Sequence, residues 1–346
     1  MTLHKNHIGY FQVLKAVACF AIVLLHTFFG AAGTFECSDT QHFISVSIKN
    51  CMTWAVPCFV MVTGALLLNP EKHIETKKIF TRYIKRMAAA IIAFTFIFEI
   101  CDVLILKKSF GLYVLTDSIV KIFTNESWSH MWYLYMMLAV YLMLPIYKKI
   151  TQASGDKDIR YLLVIYGIFL SVLPTIEAFT SWNVPFYIMV ATIYPFYLFA
   201  GYALHNEIIK INRIVSLIII IVSLGLTVAL TYYTENNEAD NLKNLLSNYS
   251  FTLTAINSIA VFSLFSQTDF NREKTLHRIS NIIARCSFGI YLIHMVFLKI
   301  MFVGIKSNPY QLGGIPVLLI TSVVVFVVSF AVIWLLKKIP FVRDII

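Results

Sequence analysis

Charge is what this sequence has least of. Only 13% of its 346 residues are Asp, Glu, Lys or Arg, against about 25% in ordinary soluble domains, and that scarcity excludes a water-soluble globular protein. Acidic residues are the scarcer sign, 18 against 28 Lys and Arg, which leaves a net charge of +10. The basic excess is not clustered as a phosphate-binding groove on a wet surface would require, so no nucleic-acid partner is expected. Gly-rich phosphate loops are missing as well: neither a P-loop nor G-x-G-x-x-G occurs. The six cysteines are scattered without metal spacing such as C-x-x-C, so no metal site is expected. Cys19, Cys51, Cys58, Cys101 and Cys286 lie in apolar stretches and read as small hydrophobes, while Cys37 lies in a connection. The short alternating segments that mark a membrane β-barrel are also absent.

Apolar length is what the chain has in their place. Hydrophobic residues make up 59% and the mean hydropathy is +0.76. A bilayer span needs about 20 mostly apolar residues, because only a helix satisfies its own backbone polar groups there. Ten stretches qualify: 9–30, 43–68, 87–106, 130–147, 161–179, 186–205, 214–233, 250–267, 287–305 and 314–336. The expected fold is an all-α integral membrane protein of about ten transmembrane helices, one polytopic domain over 1–346. The first stretch is full length and lacks a small-residue cleavage site, so no cleavable signal peptide is expected.

Basic residues assign an orientation independently of the span count. With a cytoplasmic N-terminus, the loops on that side hold 20 of the 28 basic residues. The densest group is Lys72, Lys77, Lys78, Arg82, Lys85 and Arg86, and the last is Lys337, Lys338 and Arg343. The opposite loops hold five, among them Lys107, Lys108 and Lys121. This alternation places both termini in the cytoplasm. No loop is long enough for a soluble catalytic domain, so any chemistry belongs to the bundle and its connections.

Ionisable groups inside spans are costly, about 2.5–3.5 kcal/mol each on insertion scales, and each is a functional candidate. The first span holds Lys15 and His26. Eleven residues on a helix return to within about 20° of the same face after a rise of about 16 Å. That arrangement suits a reaction that draws one substrate from each side, with His26 as general base and Lys15 holding an anionic group of a donor. Against it stand a lysine that snorkels to the headgroups and a histidine satisfied at the interface. Glu99 and Asp102 are neighbours on the third span and can orient a histidine, bind an acceptor, or pair with basic groups for structure. Glu177, beside Trp182, is a similar candidate, since carboxylates with aromatic faces suit a sugar. Arg82, Lys85 and Arg86 recur at spacings of three and four, which makes one cationic surface suited either to phosphates or to anchoring at the headgroups.

These residues resemble the membrane-bound acyltransferase 3 family over essentially the whole chain. The family's first span carries an arginine ahead of a histidine in a pattern like L-R-x-x-A, and L-K-A-V-A-C-F-A-I-V-L-L-H from Leu14 to His26 is similar. V-P-C-F-V-M-V-T-G-A-L-L-L from Val56 to Leu68 resembles the second span, and the basic run from Arg82 to Arg86 falls where members carry an arginine-rich motif. H-M-W-Y-L-Y-M-M-L-A-V-Y-L-M-L-P from His130 to Pro145 and S-F-G-I-Y-L-I-H from Ser287 to His294 are similar to two later signatures. Two positions depart: Lys15 replaces the arginine, keeping charge without the bidentate fork, and Gln12 stands where an acidic residue is common.

The resemblance implies an O-acyltransferase of the cell membrane that moves an acyl group, often acetyl, from cytoplasmic acyl-CoA to a hydroxyl of an envelope glycan or lipid-linked sugar. It implies His26 as catalytic base, helped by Lys15, with Arg82, Lys85 and Arg86 facing CoA. Acyl-CoA is a co-substrate, and no resident cofactor is expected. Trp132, Tyr133, Tyr291 and His294 are candidates for lining the site. Two rival readings are a transporter or flippase of an envelope precursor, for which no paired inverted repeats are evident, and a noncatalytic sensory membrane domain.

Overall fold

A computed structural model describes residues 9–72, 74–106, 109–180, 192–270 and 274–346. Lys5, Lys107, Lys108, Trp182, Arg272 and the first part of the 186–205 stretch lie outside the described residues. Helices in chain order are α1 (Gly9–Thr34), α2 (Asp39–Cys51), α3 (Ala55–Leu67), α4 (Thr76–Lys78), α5 (Lys85–Ile105), α6 (Tyr113–Thr124), α7 (Trp132–Ala153), α8 (Asp156–Gly167) and α9 (Leu173–Thr180). They continue with α10 (Tyr194–His205), α11 (Arg213–Asn236), α12 (Asp240–Leu246), α13 (Thr252–Ser266), α14 (Lys274–Lys299), α15 (Pro309–Leu312), α16 (Ile315–Leu336) and α17 (Pro340–Ile345). No strand occurs among the described residues.

Eight helical runs among the described residues are long and apolar enough to cross a membrane, two fewer than the ten stretches anticipated. The two that fall short are α13, with 15 residues, and α10, with 12 described. At 1.5 Å per residue, α13 is about 22 Å long, against a hydrocarbon core of about 30 Å. Its start is set by a turn in which Phe251 N–H donates to Asn248 O at 3.2 Å. In α10 every residue from Pro195 to Leu204 is buried. The basic run also differs from expectation. Thr76 to Arg86 is helical, through a π-helical stretch at Ile79–Ile84, and not a loop.

Prolines explain the breaks. The run from Asp39 to Leu67 is interrupted just ahead of Pro57, whose ring cannot donate a helical hydrogen bond. A second π-helical stretch, Ile168–Val172, precedes Pro174 for the same reason. The helix α7 carries Pro145 within it without a break.

The central helix is α1, which packs against α2, α3, α13, α14 and α16. The closest crossing joins α3 and α10. A Cβ on Gly64 would sit 1.8 Å from Leu198 O, and one on Gly201 would sit 2.0 Å from Met61 O. Small residues drive such approaches in membranes, where burying apolar surface between helices gains little over lipid. Interhelical hydrogen bonds add to this: Asn50 Nδ2 donates to Thr231 Oγ1 at 3.0 Å, and the Ser45 and Tyr310 hydroxyls lie 2.8 Å apart.

Polar contacts define the two ends of the bundle. At one end the Tyr10 hydroxyl lies 2.9 Å from His205 Nδ1, Arg160 Nε donates to Ile208 O at 3.0 Å, and Gln267 Nε2 donates to Ile211 O at 2.9 Å. There the buried Lys148 ammonium caps the end of α3, donating to Leu67 O (3.3 Å), Asn69 O (2.9 Å) and Lys72 O. At the other end Glu235 receives His42 at 3.3 Å and Lys243 at 2.9 Å.

Candidate active site

The face of α1 that carries Lys15 continues through Cys19 and Ile22, and these three side chains line one wall of an internal cavity of about 190 Å³. The other walls come from Phe59, Thr63, Met87, Tyr133, Tyr141 and Tyr291, so the void is mostly apolar and aromatic. A wider opening of about 510 Å³ shares Lys15, Arg86, Ser287 and Phe288 with it and adds Arg285, Lys337 and Arg343. Five cations therefore ring the mouth of a narrow apolar channel. None of Lys15, Arg86, Arg285 and Lys337 pairs with a carboxylate within 4 Å among the described residues, whereas Arg343 lies 3.9 Å from Asp344. Arg86 is held by its Nε donating to Ile345 O at 3.3 Å and by the ring of Phe288, 4.7 Å from its guanidinium carbon. Lys337 Nζ donates to Arg285 O at 2.5 Å. Arg82 and Lys85 are exposed and line neither space.

The channel stops at Ile22, Tyr133 and Tyr291. One helical turn beyond Ile22 stands His26, half-buried, with its Nδ1 at 2.9 Å from His294 Nε2. His294 is fully buried, and its Nδ1 lies 3.1 Å from Ile290 O. A carbonyl oxygen only accepts, so His294 carries its proton on Nδ1 and its Nε2 accepts from His26 Nδ1–H. In the neutral pair the lone pair of His26 is thereby fixed on Nε2, the state a general base requires.

A third imidazole completes the cluster. His130 is 1% exposed, with its ring centroid 6.3 Å from that of His26 and 5.6 Å from that of His294. Its Nε2–H donates to Leu292 O at 3.2 Å, and the Tyr291 hydroxyl donates to its backbone carbonyl. These two bonds tie the start of α7 to α14. His130 Nδ1 is buried with no hydrogen-bond partner.

The other sequence candidates are placed as follows. Glu99 is paired with Lys121 of α6 at 2.5 Å, and Asp102 with Lys299 at 2.5 Å. Trp128 Nε1 donates to the second oxygen of Asp102 at 3.1 Å, and the Trp128 ring is stacked on Phe98 at 4.3 Å. Neither carboxylate is bonded to a histidine among the described residues; their charges are met by cations, and Trp128 and Phe98 carry the contact on to His130. Trp132 lies outside the channel, against Tyr133, Tyr194 and Tyr249. Glu177 lines a separate surface depression with Asn241, Asn244 and Asn248.

Sequence reasoning passed over four residues that the fold brings to the site. His130 opens a motif string in which nothing local sets its side chain apart. Arg285, Lys337 and Arg343 read in sequence as topology charges, because their convergence on Lys15 depends on α14, α16 and α17 meeting at one end. No three-residue group of His, Cys, Asp and Glu that could hold a metal ion occurs among the described residues.

No curated protein and no solved structure matches the chain. The model of the acyltransferase 3 family, described as an acyltransferase domain, matches residues 8–334, from the start of α1 to nearly the end of α16, and so includes all three histidines and most of the cationic mouth. The chain belongs to this acyltransferase family and is a multi-pass membrane protein.

Proposed function

We propose that the protein is an O-acyltransferase of the cell membrane that moves an acyl group, acetyl in the simplest case, from cytoplasmic acyl-CoA to a hydroxyl of an envelope glycan or lipid-linked sugar. The observation that carries this reading is a single helix face with Lys15, which has no carboxylate partner among the described residues, at the channel mouth and a tautomer-fixed His26 one turn past its end. The wider opening suits the charged nucleotide portion of the donor, whose phosphates meet Arg86, Arg285, Lys337 and Arg343. The narrow aromatic channel suits its extended arm, along a rise of about 10 Å from Lys15 to Ile22, one helical turn short of His26.

The chemistry balances within these groups. The acceptor hydroxyl gives its proton to His26 Nε2 as its oxygen attacks the thioester carbonyl. The carbon–sulfur bond then breaks, and the imidazolium returns the proton to the departing thiolate. Donor and acceptor meet in one step, since Thr27, the hydroxyl beside His26, is fully buried and donates to Val23 O at 2.8 Å. His294 keeps the accepting lone pair aimed throughout, as the oriented partner of a catalytic base does elsewhere. Mass spectrometry of envelope glycans from cells with and without the protein tests the reading. Glycans that gain the mass of an acetyl group only when the protein is present support it, and identical spectra overturn it.

A further inference from the structure

We infer that His130 holds the acceptor substrate, through a hydrogen bond from an acceptor hydroxyl to its Nδ1; the inference rests on the acyltransfer reading above. The backbone of His130 is held by the Tyr291 hydroxyl on its carbonyl, and its ring is oriented by Nε2–H on Leu292 O. With the proton on Nε2, Nδ1 presents a lone pair. That lone pair is buried and unpartnered, although buried polar atoms are nearly always satisfied. The cost of leaving it so is repaid only when something donates to it.

The neighbours limit what that donor can be. Around the ring stand His26, His294, Tyr291, Phe98 and Trp128. The Tyr291 hydroxyl is committed to the His130 carbonyl, the Trp128 indole to Asp102, and the N–H of each other histidine to the relay or the Ile290 carbonyl. None of these ring neighbours donates to His130 Nδ1, and the donor assigned to it is a substrate group that arrives beside the base. Of the two reacting groups, the thioester itself has no proton to give there, whereas the alcohol has. An acceptor carrying two neighbouring hydroxyls satisfies both nitrogens at once: one hydroxyl donates to His26 Nε2 and reacts, and the other donates to His130 Nδ1 and fixes the attack angle. The site thus selects a polyol over a lone alcohol.

Two substitutions separate this role from a structural one. Gln at position 130 places an amide N–H near the Nε2 position and keeps the bond to Leu292 O, but offers nothing at Nδ1. Asn places a polar atom near Nδ1 instead. Membranes holding wild type, His130→Gln or His130→Asn, matched for folded protein by fluorescence-detected size exclusion, are given labelled acetyl-CoA. Label transferred to endogenous envelope material and acetyl-CoA bound by the purified proteins are then measured. Transfer is expected to fall about tenfold or more in His130→Gln with acetyl-CoA binding unchanged, the loss of one buried hydrogen bond, and to recover partly in His130→Asn. Transfer by His130→Gln within twofold of wild type overturns the inference. So does a parallel loss of acetyl-CoA binding or of folded protein, which assigns His130 to the scaffold. No transfer by wild type itself overturns the acyltransfer reading instead.

Discussion

The nitrogen of His26 that accepts the proton in the proposed reaction owes its state to a carbonyl two residues removed from it. Ile290 O demands a proton on His294 Nδ1, and His294 Nε2 then demands one on His26 Nδ1. Replacing His294 with Phe removes the second demand and lets the imidazole turn. Transfer is expected to drop about 10²-fold, within the usual span for an acid–base contribution, while acetyl-CoA binding holds; a His294→Phe protein with wild-type turnover would show that the relay is idle. In the proposed function Lys15 and Arg86 act earlier, on the donor. Neither has a carboxylate partner within 4 Å among the described residues, so Lys15→Ala and Arg86→Ala are each expected to raise the KM for acyl-CoA about tenfold, the worth of one charge-assisted contact. The rise should shrink in high salt as screening weakens the wild-type contact. A lowered kcat at unchanged KM would move these cations from binding into the chemical step.

Helices put those residues where they act, and their crossings leave little freedom. The α3–α10 contact is backbone against backbone at Gly64 and Gly201, so Gly64→Leu or Gly201→Leu must push the helices apart. Loss of folded protein in detergent is expected for both. Gly33→Ala meets nothing within 4 Å and should be tolerated apart from altered helix propensity. Normal yields of Gly201→Leu would contradict the crossing. Sequence made most of this order legible. Span-length apolar stretches marked the eight long helices, and an eleven-residue interval put Lys15 and His26 on one face. What stayed hidden depends on contacts between distant segments. Nothing in the local pattern of Glu99 and Asp102 shows that Lys121 and Lys299 meet them. Likewise Arg82, Lys85 and Arg86 have equivalent helical spacing, and only packing against Phe288 and α17 singles out Arg86. The short, buried α10 reads as a span because composition cannot tell protein from lipid as the apolar neighbour.

Across the whole bundle, the cationic mouth and the histidine cluster stand at different depths, and the proposed function has the donor and the acceptor come from opposite faces. From the loop-by-loop distribution of basic residues a cytoplasmic mouth is expected. Single cysteines introduced at Arg213 or Lys338 in a cysteine-free background are therefore expected to react with a membrane-impermeant maleimide only after the membrane is opened, and those at Glu36 or Glu238 in intact cells. The reverse pattern would put the donor site outside, where acyl-CoA is absent. The central claim is that His26 moves the proton of the acceptor hydroxyl. Its most direct measurement supplies labelled acetyl-CoA to membranes containing wild-type or His26→Ala protein in equal folded amounts. Label reaching envelope material in the first and not in the second is the predicted result, and equal labelling of the two, or none in either, contradicts it.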